Sequence, residues 1–334
     1  MRKFTTKLLL CCLLVCSLFA SQPETAKADT INGIQPILPV QYQKLLGKGM
    51  DVDWSKTKKG QETFHKTIVK DFKNAGINHV RIRVKDNVSQ DLFYHLDEQI
   101  RACLEAGIIP IIAYQANGFK NSASDEDMDK VVEWWSAVAE HYKNESYFLS
   151  FDMMIECTDA LNKQPDKLNE LYEKVVTAIR QTNPTRILMM SPRVRSDAQY
   201  LSELKVPTQA NGYMMAEWHF YASGPSKENE RKLWATGTEK EKNLIRNKIQ
   251  LALEWQKKTG IPTWVGAWMA GNYNDGDDYS VKEQVIFAHF MVSELKKAGI
   301  PFAVNADTHF YDRENKTWIK KMLPLRYCIF SSYG

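Results

Sequence analysis

Cysteine is scarce in this chain and poorly placed for a covalent framework. Of six in 334 residues, Cys11, Cys12 and Cys16 fall near the start. Cys103, Cys157 and Cys328 remain, odd in number, widely spaced and without a metal-ligand rhythm. They leave room for one disulfide and exclude a cystine scaffold. No Pro/Gly/Ser-rich linker or low-complexity tract divides the chain beyond residue 28, so a second domain has no boundary to start from. Long apolar runs are also absent. The one candidate, Leu8–Ala20, follows Arg2, Lys3 and Lys7 and is too short to span a bilayer. With Ala26-Lys27-Ala28 as a small-x-small cleavage site, residues 1–28 read as a signal peptide. The expectation is a secreted or periplasmic protein with no membrane association after cleavage. Ser17–Ala20 is a second cleavage candidate, and bulky Val15 argues against a lipid anchor at Cys16.

Strong charge of one sign is missing too. Removing residues 1–28 takes away four basic residues and one acidic residue, which leaves 40 against 39, a net charge of +1. Nucleic acid requires a basic footprint, and this balance supplies none.

What the chain does have is a repeated joint. Ala75-Gly76-Ile77, Ala106-Gly107-Ile108, Thr259-Gly260-Ile261 and Ala298-Gly299-Ile300 each end a polar amphipathic stretch and open an apolar one. A glycine suits the left-handed position just past a helix, and the β-branched or aromatic runs that follow suit buried parallel strands. Read along the chain, strands fall at 48–53, 79–84, 108–114, 148–155, 186–191, 213–221, 263–268 and 301–307, with helices between them. Eight alternations give the fold class as α/β, a single (β/α)₈ TIM barrel over residues 29–334. A barrel of about 250 residues fits the 306 available.

In such a barrel the chemistry sits at the C-terminal strand ends. Glu156 follows the strand Phe151-Asp152-Met153-Met154-Ile155, where a carboxylate can serve as general acid if burial keeps it protonated. Glu217, His219 and Tyr221 share one face of strand 6 by the period of two. That pattern fits a polar lumen or a satisfied buried hydrogen-bond network. Asn305, Asp307 and His309 share a face at the end of strand 8 by the same rule. His and carboxylate are metal-ligand types, but these lack a ligand motif, so neither metal nor cofactor is expected. Arg81, Arg83, Arg193 and Arg195 stand at or past strand ends. They read either as partners of Glu156, Glu217 or Asp307, or as a cationic wall for an anionic sugar. Trp54, Tyr114, Trp218, Trp264, Trp268 and Tyr273 supply aromatic faces for sugars or simply for the core. The acidic stretch 272–278 reads as a solvated loop.

At these residues the chain resembles glycoside hydrolase family 5, the cellulase and mannanase family. Ala75 to Ile82 is similar to the family's strand 2 with its arginine, Arg81. Phe151 to Glu156 is similar to the strand ending in Asn-Glu, His219-Phe220-Tyr221 to its His-x-Tyr, and Ile261 to Gly266 to the strand that carries the nucleophile. Ile300 to Trp318 resembles strand 8 and its following turn. The departures fall on the chemistry. Ala267 stands at the nucleophile position, Ile155 replaces the Asn before the acid/base, the strand 3 histidine region reads Ala113-Tyr114-Gln115-Ala116, and Asn305 stands for the tryptophan of strand 8. The resemblance implies a carbohydrate substrate, with Glu156 as general acid/base. Asp307 would be the preferred second carboxylate, with Glu217 behind it, and Arg81, Tyr114, Gln115, His219, Tyr221, Trp268 and Asn305 would position the sugar. The alternative is a barrel that binds glycan without turning it over.

Overall fold

Helix ends set the strand starts as the joints require. The helices Glu239–Thr259 and Val281–Ala298 each open with a reciprocal capping box, Thr238 with Glu241 and Ser280 with Glu283. They close on Gly260 and Gly299 at φ 72° and 66°, a conformation that would strain any side chain with a Cβ. The chain then turns directly into a strand.

The computed structural model describes residues 35–220, 233–271 and 279–331. The strands are β1 Lys48–Val52, β2 His79–Val84, β3 Ile109–Tyr114, β4 Ser150–Asp152, β5 Leu188–Met190, β6 Met214–His219, β7 Thr263–Trp268 and β8 Phe302–Val304. All neighbours pair parallel, and β1 pairs with β8 to close the barrel. Asp51 of β1 lies in register with Arg81 of β2, an alignment that decides the centre of the site. The β6–β7 register shifts between Trp218 and His219.

The lumen has two layers. At the N-terminal end Ile109, Ile111, Met189, Met215 and Trp264 pack with Tyr42 and Leu46 of the helix Pro39–Leu46, which plugs the barrel floor. Each such side chain contributes roughly 1.5–3 kcal/mol by leaving water. His79 belongs to this layer. Its Nδ1 lies 2.6 Å from the Leu46 carbonyl and its Nε2 accepts the Trp264 indole N–H at 3.2 Å. Burial pushes its pKa down to about 4, so it is a neutral, satisfied core histidine. The upper layer is charged and holds the site.

Several strand expectations ran too long, most of all at β4, β5 and β8, and β5 is Leu188–Met190 where 186–191 was expected. β4 ends at Asp152 and not at Ile155, although Met153 and Ile155 still bond to β5 and β3 residues. β8 ends at Val304, and Asp307–Phe310 forms a helical turn. The period of two therefore does not apply there, and Asn305, Asp307 and His309 do not share a strand face. All three described cysteines are free thiols, so the disulfide that the sequence left open is not formed. No helix among the described residues is long and apolar enough to cross a membrane.

Candidate active site

Charged residues buried in a barrel must neutralise one another, and Arg81 is the hub of that neutralisation. Its Nε and Nη2 donate to the two oxygens of Asp51 at 2.8 and 2.7 Å, the forked geometry guanidinium prefers. Nη1 reaches Asp152 at 3.2 Å and also bonds Glu217. Arg81, Asp51, Asp152 and Glu217 are all buried. The guanidinium thus fills the space between three carboxylates where a cation site would otherwise lie.

Glu217 reaches this position across β7. A Cβ added at Gly266 would lie 1.7 Å from Glu217 Oε1, so the glycine leaves the room that the side chain occupies. That same oxygen bonds His219 Nε2 at 2.6 Å. Glu217 Oε2 and Asp152 Oδ1 have no N–H or O–H partner in the structure. Burial first, and the Glu217 charge second, push the Asp152 carboxyl well above the usual range. Of the two, Asp152 is thereby the carboxyl that holds a proton more readily. Arg81 and His219 hold Glu217 itself ionised against its burial.

His219 joins the buried layer to the mouth. Its Nδ1 lies 3.0 Å from Glu156 Oε1, so its two nitrogens face two carboxylates. Burial alone would lower its pKa, but the Glu217 charge and the bonds to Glu156 and Glu217 raise it to about 9. It is an imidazolium at neutral pH, donating in both directions. Glu156 follows β4 in a left-handed backbone conformation, φ 53°. Its side chain is 17% exposed, whereas those of Glu217 and Asp307 are fully enclosed. Burial raises the Glu156 pKa, but the His219 hydrogen bond and the charges of His219, Arg195 and Arg81 outweigh it and hold it below the ordinary carboxylate range. The general-acid expectation needs a raised value, and the free protein has a lowered one. Lys120 lies beneath, donating to the Ile155 carbonyl at 3.0 Å and to Gln115 Oε1 at 3.3 Å. Burial lowers its pKa to about 8.

The other expected residues take different places. Asp307 accepts the Asp53 backbone N–H and the Trp54 indole N–H, both at 3.1 Å, with Arg313 3.7 Å away. It fastens the end of β1, and its hydrogen bonds do not bring it to Glu156. Burial pushes its pKa up to about 6. Tyr114 stacks on Trp134 with ring centroids 4.0 Å apart. Trp268 is enclosed between Phe287 and Phe302, on the helix side of the barrel wall. Ala267 and Asn305 are buried. Tyr221, Tyr273 and the acidic stretch 272–278 lie outside the described residues. The acidic partners expected for Arg81 and Arg83 were Glu156, Glu217 or Asp307. Among the described residues only Glu217 of these three is such a partner, and Asp51, Asp152 and Asp53 take the other places. Asp51, Asp152 and Lys120 were missed as members of the site. An acid inside a strand buried on both faces is itself a signal, because it demands a partner.

Carboxylates, an imidazolium and a guanidinium gathered at the C-terminal strand ends of a closed (β/α)₈ barrel define a hydrolase-type site. Residues 40–306 match the model of the cellulase family, glycosyl hydrolase family 5. The chain belongs to that family of glycosidases. Endoglucanase H of Acetivibrio thermocellus is 21% identical over 267 residues, covering 76% of this chain and 29% of that protein. A beta-xylosidase of Phanerodontia chrysosporium is 21% identical over 221 residues, covering 58% and 45%. The chain therefore spans less than half the length of these two relatives. The endoglucanase Cel5A structure from the hyperthermophilic Thermotoga maritima has a TM-score of 0.74 at 21% identity and covers 88% of this chain and 100% of that one. That likeness bears on the fold.

Proposed function

We propose that this chain is an exported glycoside hydrolase acting on poly- or oligosaccharides, with Glu156 as its reacting carboxylate. One observation carries the reading. Of the three carboxylates proposed for catalysis, only Glu156 has an exposed side chain, at 17%, and it stands where β4 opens onto the catalytic end of the barrel. His219 orients it and Arg195 lies 3.9 Å from its outer oxygen. Glu156 rests as a carboxylate and acts as general acid only after taking a proton. It then passes that proton to the leaving glycosidic oxygen as the C–O bond breaks, and the carboxylate left behind takes a proton from the water that adds to the anomeric carbon.

A second reading, a barrel that binds glycan without cleaving it, is favoured by Ala267 at the nucleophile position and by the complete enclosure of Glu217 and Asp307. Mass spectrometry of products from a panel of neutral and acidic polysaccharides separates the two. The hydrolase reading expects shortened oligosaccharides. An absence of product from every glycan, with a raised melting temperature on one, supports the binding reading instead.

A further inference from the structure

The guanidinium of Arg195 stands out among the arginines near the strand ends. Arg81 donates to Asp51, Asp152 and Glu217, Arg83 to Asp53, and Arg193 takes both oxygens of Glu203. Arg195 is half exposed, and its side chain donates no hydrogen bond among the described residues. Among the described residues its one oppositely charged neighbour within 4 Å is Glu156, at 3.9 Å. Its five N–H donors thus have no protein acceptor within hydrogen-bond distance among the described residues.

The backbone beneath it is held against its preference. Val194, Arg195 and Ser196 follow one another at φ 57°, 55° and 59°. Left-handed conformation is costly for any residue with a Cβ and especially for a β-branched one such as Val194. The segment is fastened where it meets the site. Arg195 N donates to the Cys157 carbonyl at 2.9 Å, and Val194 N donates to Asn162 Oδ1 at 2.6 Å. Asp197 bridges to His219 of β6 and pairs with Lys248. Cys157 directly follows Glu156, so the fastening fixes the Arg195 backbone relative to the reacting carboxylate. A merely solvated arginine would not call for such a framework.

We propose that Arg195 is the subsite for an anionic substituent, a carboxylate or sulfate, carried by the glycan beside the bond that Glu156 attacks. This deepens the glycosidase reading and rests on it. A carboxylate, or two oxygens of a sulfate, matches the guanidinium fork through two parallel hydrogen bonds. Binding there has a consequence for the proton that Glu156 lacks. The groups facing Glu156 are His219 from β6, Arg195 from the segment after β5, Arg81 from β2 and Lys120 from the helix Asn117–Ser122. An anion on Arg195 engages one of these cations and brings a negative charge close to Glu156. Both changes raise the Glu156 pKa. The substrate thereby draws a proton from solvent onto the carboxylate, the same proton that later goes to the glycosidic oxygen.

The test uses the mature chain and three oligosaccharide probes of equal length: one containing uronic acid, its carboxyl-reduced neutral form, and an O-sulfated neutral form. Calorimetric titration at pH 7 in two buffers of different ionisation enthalpy gives both affinity and proton uptake. The acidic probe should bind roughly ten- to a hundred-fold more tightly than its reduced form, with net proton uptake. Arg195→Gln should lose the preference and the uptake, and Arg195→Lys should keep part of the preference. Arg101→Gln, which removes an exposed charge from the helix Gln90–Glu105, should keep both. Preference for the sulfated over the uronic probe would support the subsite and name sulfate as its anion. Equal binding of acidic and reduced probes, or a preference that survives Arg195→Gln, overturns the proposal. If neutral glycans are nevertheless cleaved, the glycosidase reading stands without it. If no glycan binds, both fall.

Discussion

Glu156 sits beside an imidazolium whose other nitrogen is bound to a buried carboxylate, and this arrangement makes His219 the electrostatic pivot of the site. Its folded pKa of about 9 lies above the ordinary value of 6.5. The stabilisation from the charged ring is therefore complete below pH 6.5 and is lost as pH rises through 9. Lys120 works in the opposite sense above pH 8, because its folded pKa is depressed to about 8. The clean observable is a difference. Between pH 6.5 and 9 the urea midpoint of the parent should fall relative to that of His219→Gln, and parallel curves would remove the charged imidazole from the account. Glu217 can be examined at the same scale. Glu217→Ala strands His219 Nε2, leaves Arg81 Nη1 with Asp152 as its remaining carboxylate, and should cost about 3–5 kcal/mol, measured by denaturant unfolding. Glu217→Gln keeps an acceptor and should cost less.

At the scale of elements, punctuation decided what the sequence could show. β2 and β7 were read to the residue because Gly76 and Gly260 stop the preceding helices, and the helix starts at Ser124, Thr238 and Ser280 carry capping side chains. β4 and β8 were overrun because an apolar run does not say where pairing stops. Beyond β8 the carboxylate of Asp307 turns toward Asp53 and Trp54 and the backbone winds into a helical turn. Lys120 escaped notice for a related reason. It lies in a short polar helix, and only the fold brings its ammonium under Ile155. Glu156, Arg81 and His219 were legible through strand position and alternation. Asp51 and Asp152 become legible once a buried strand acid is required to have a partner. Asp307 supplies the prediction at this scale. Asp307→Ala leaves the Asp53 N–H and the Trp54 indole N–H without their acceptor, so it should destabilise the protein by about 2–4 kcal/mol in urea unfolding. A variant as stable as the parent would show that Asp307 does not anchor the β1 end and would return it to candidacy as a second carboxylate.

The whole molecule is a family 5 barrel whose lumen is neutralised around Arg81, with Glu217 reaching in from β6 over Gly266, next to a strand whose following residue is Ala267. The reading keeps one accessible carboxylate and surrounds it with cations. This places the chemistry at a single residue and leaves the rest of the charged layer to set its proton affinity. The measurement that tests this most directly is turnover of a cleaved oligosaccharide by the parent and by Glu156→Gln, each checked for an unchanged melting temperature. The prediction is a loss of at least about 10³-fold in kcat/KM for the folded variant. Turnover within a few-fold of the parent would contradict the assignment of Glu156 as the reacting carboxylate.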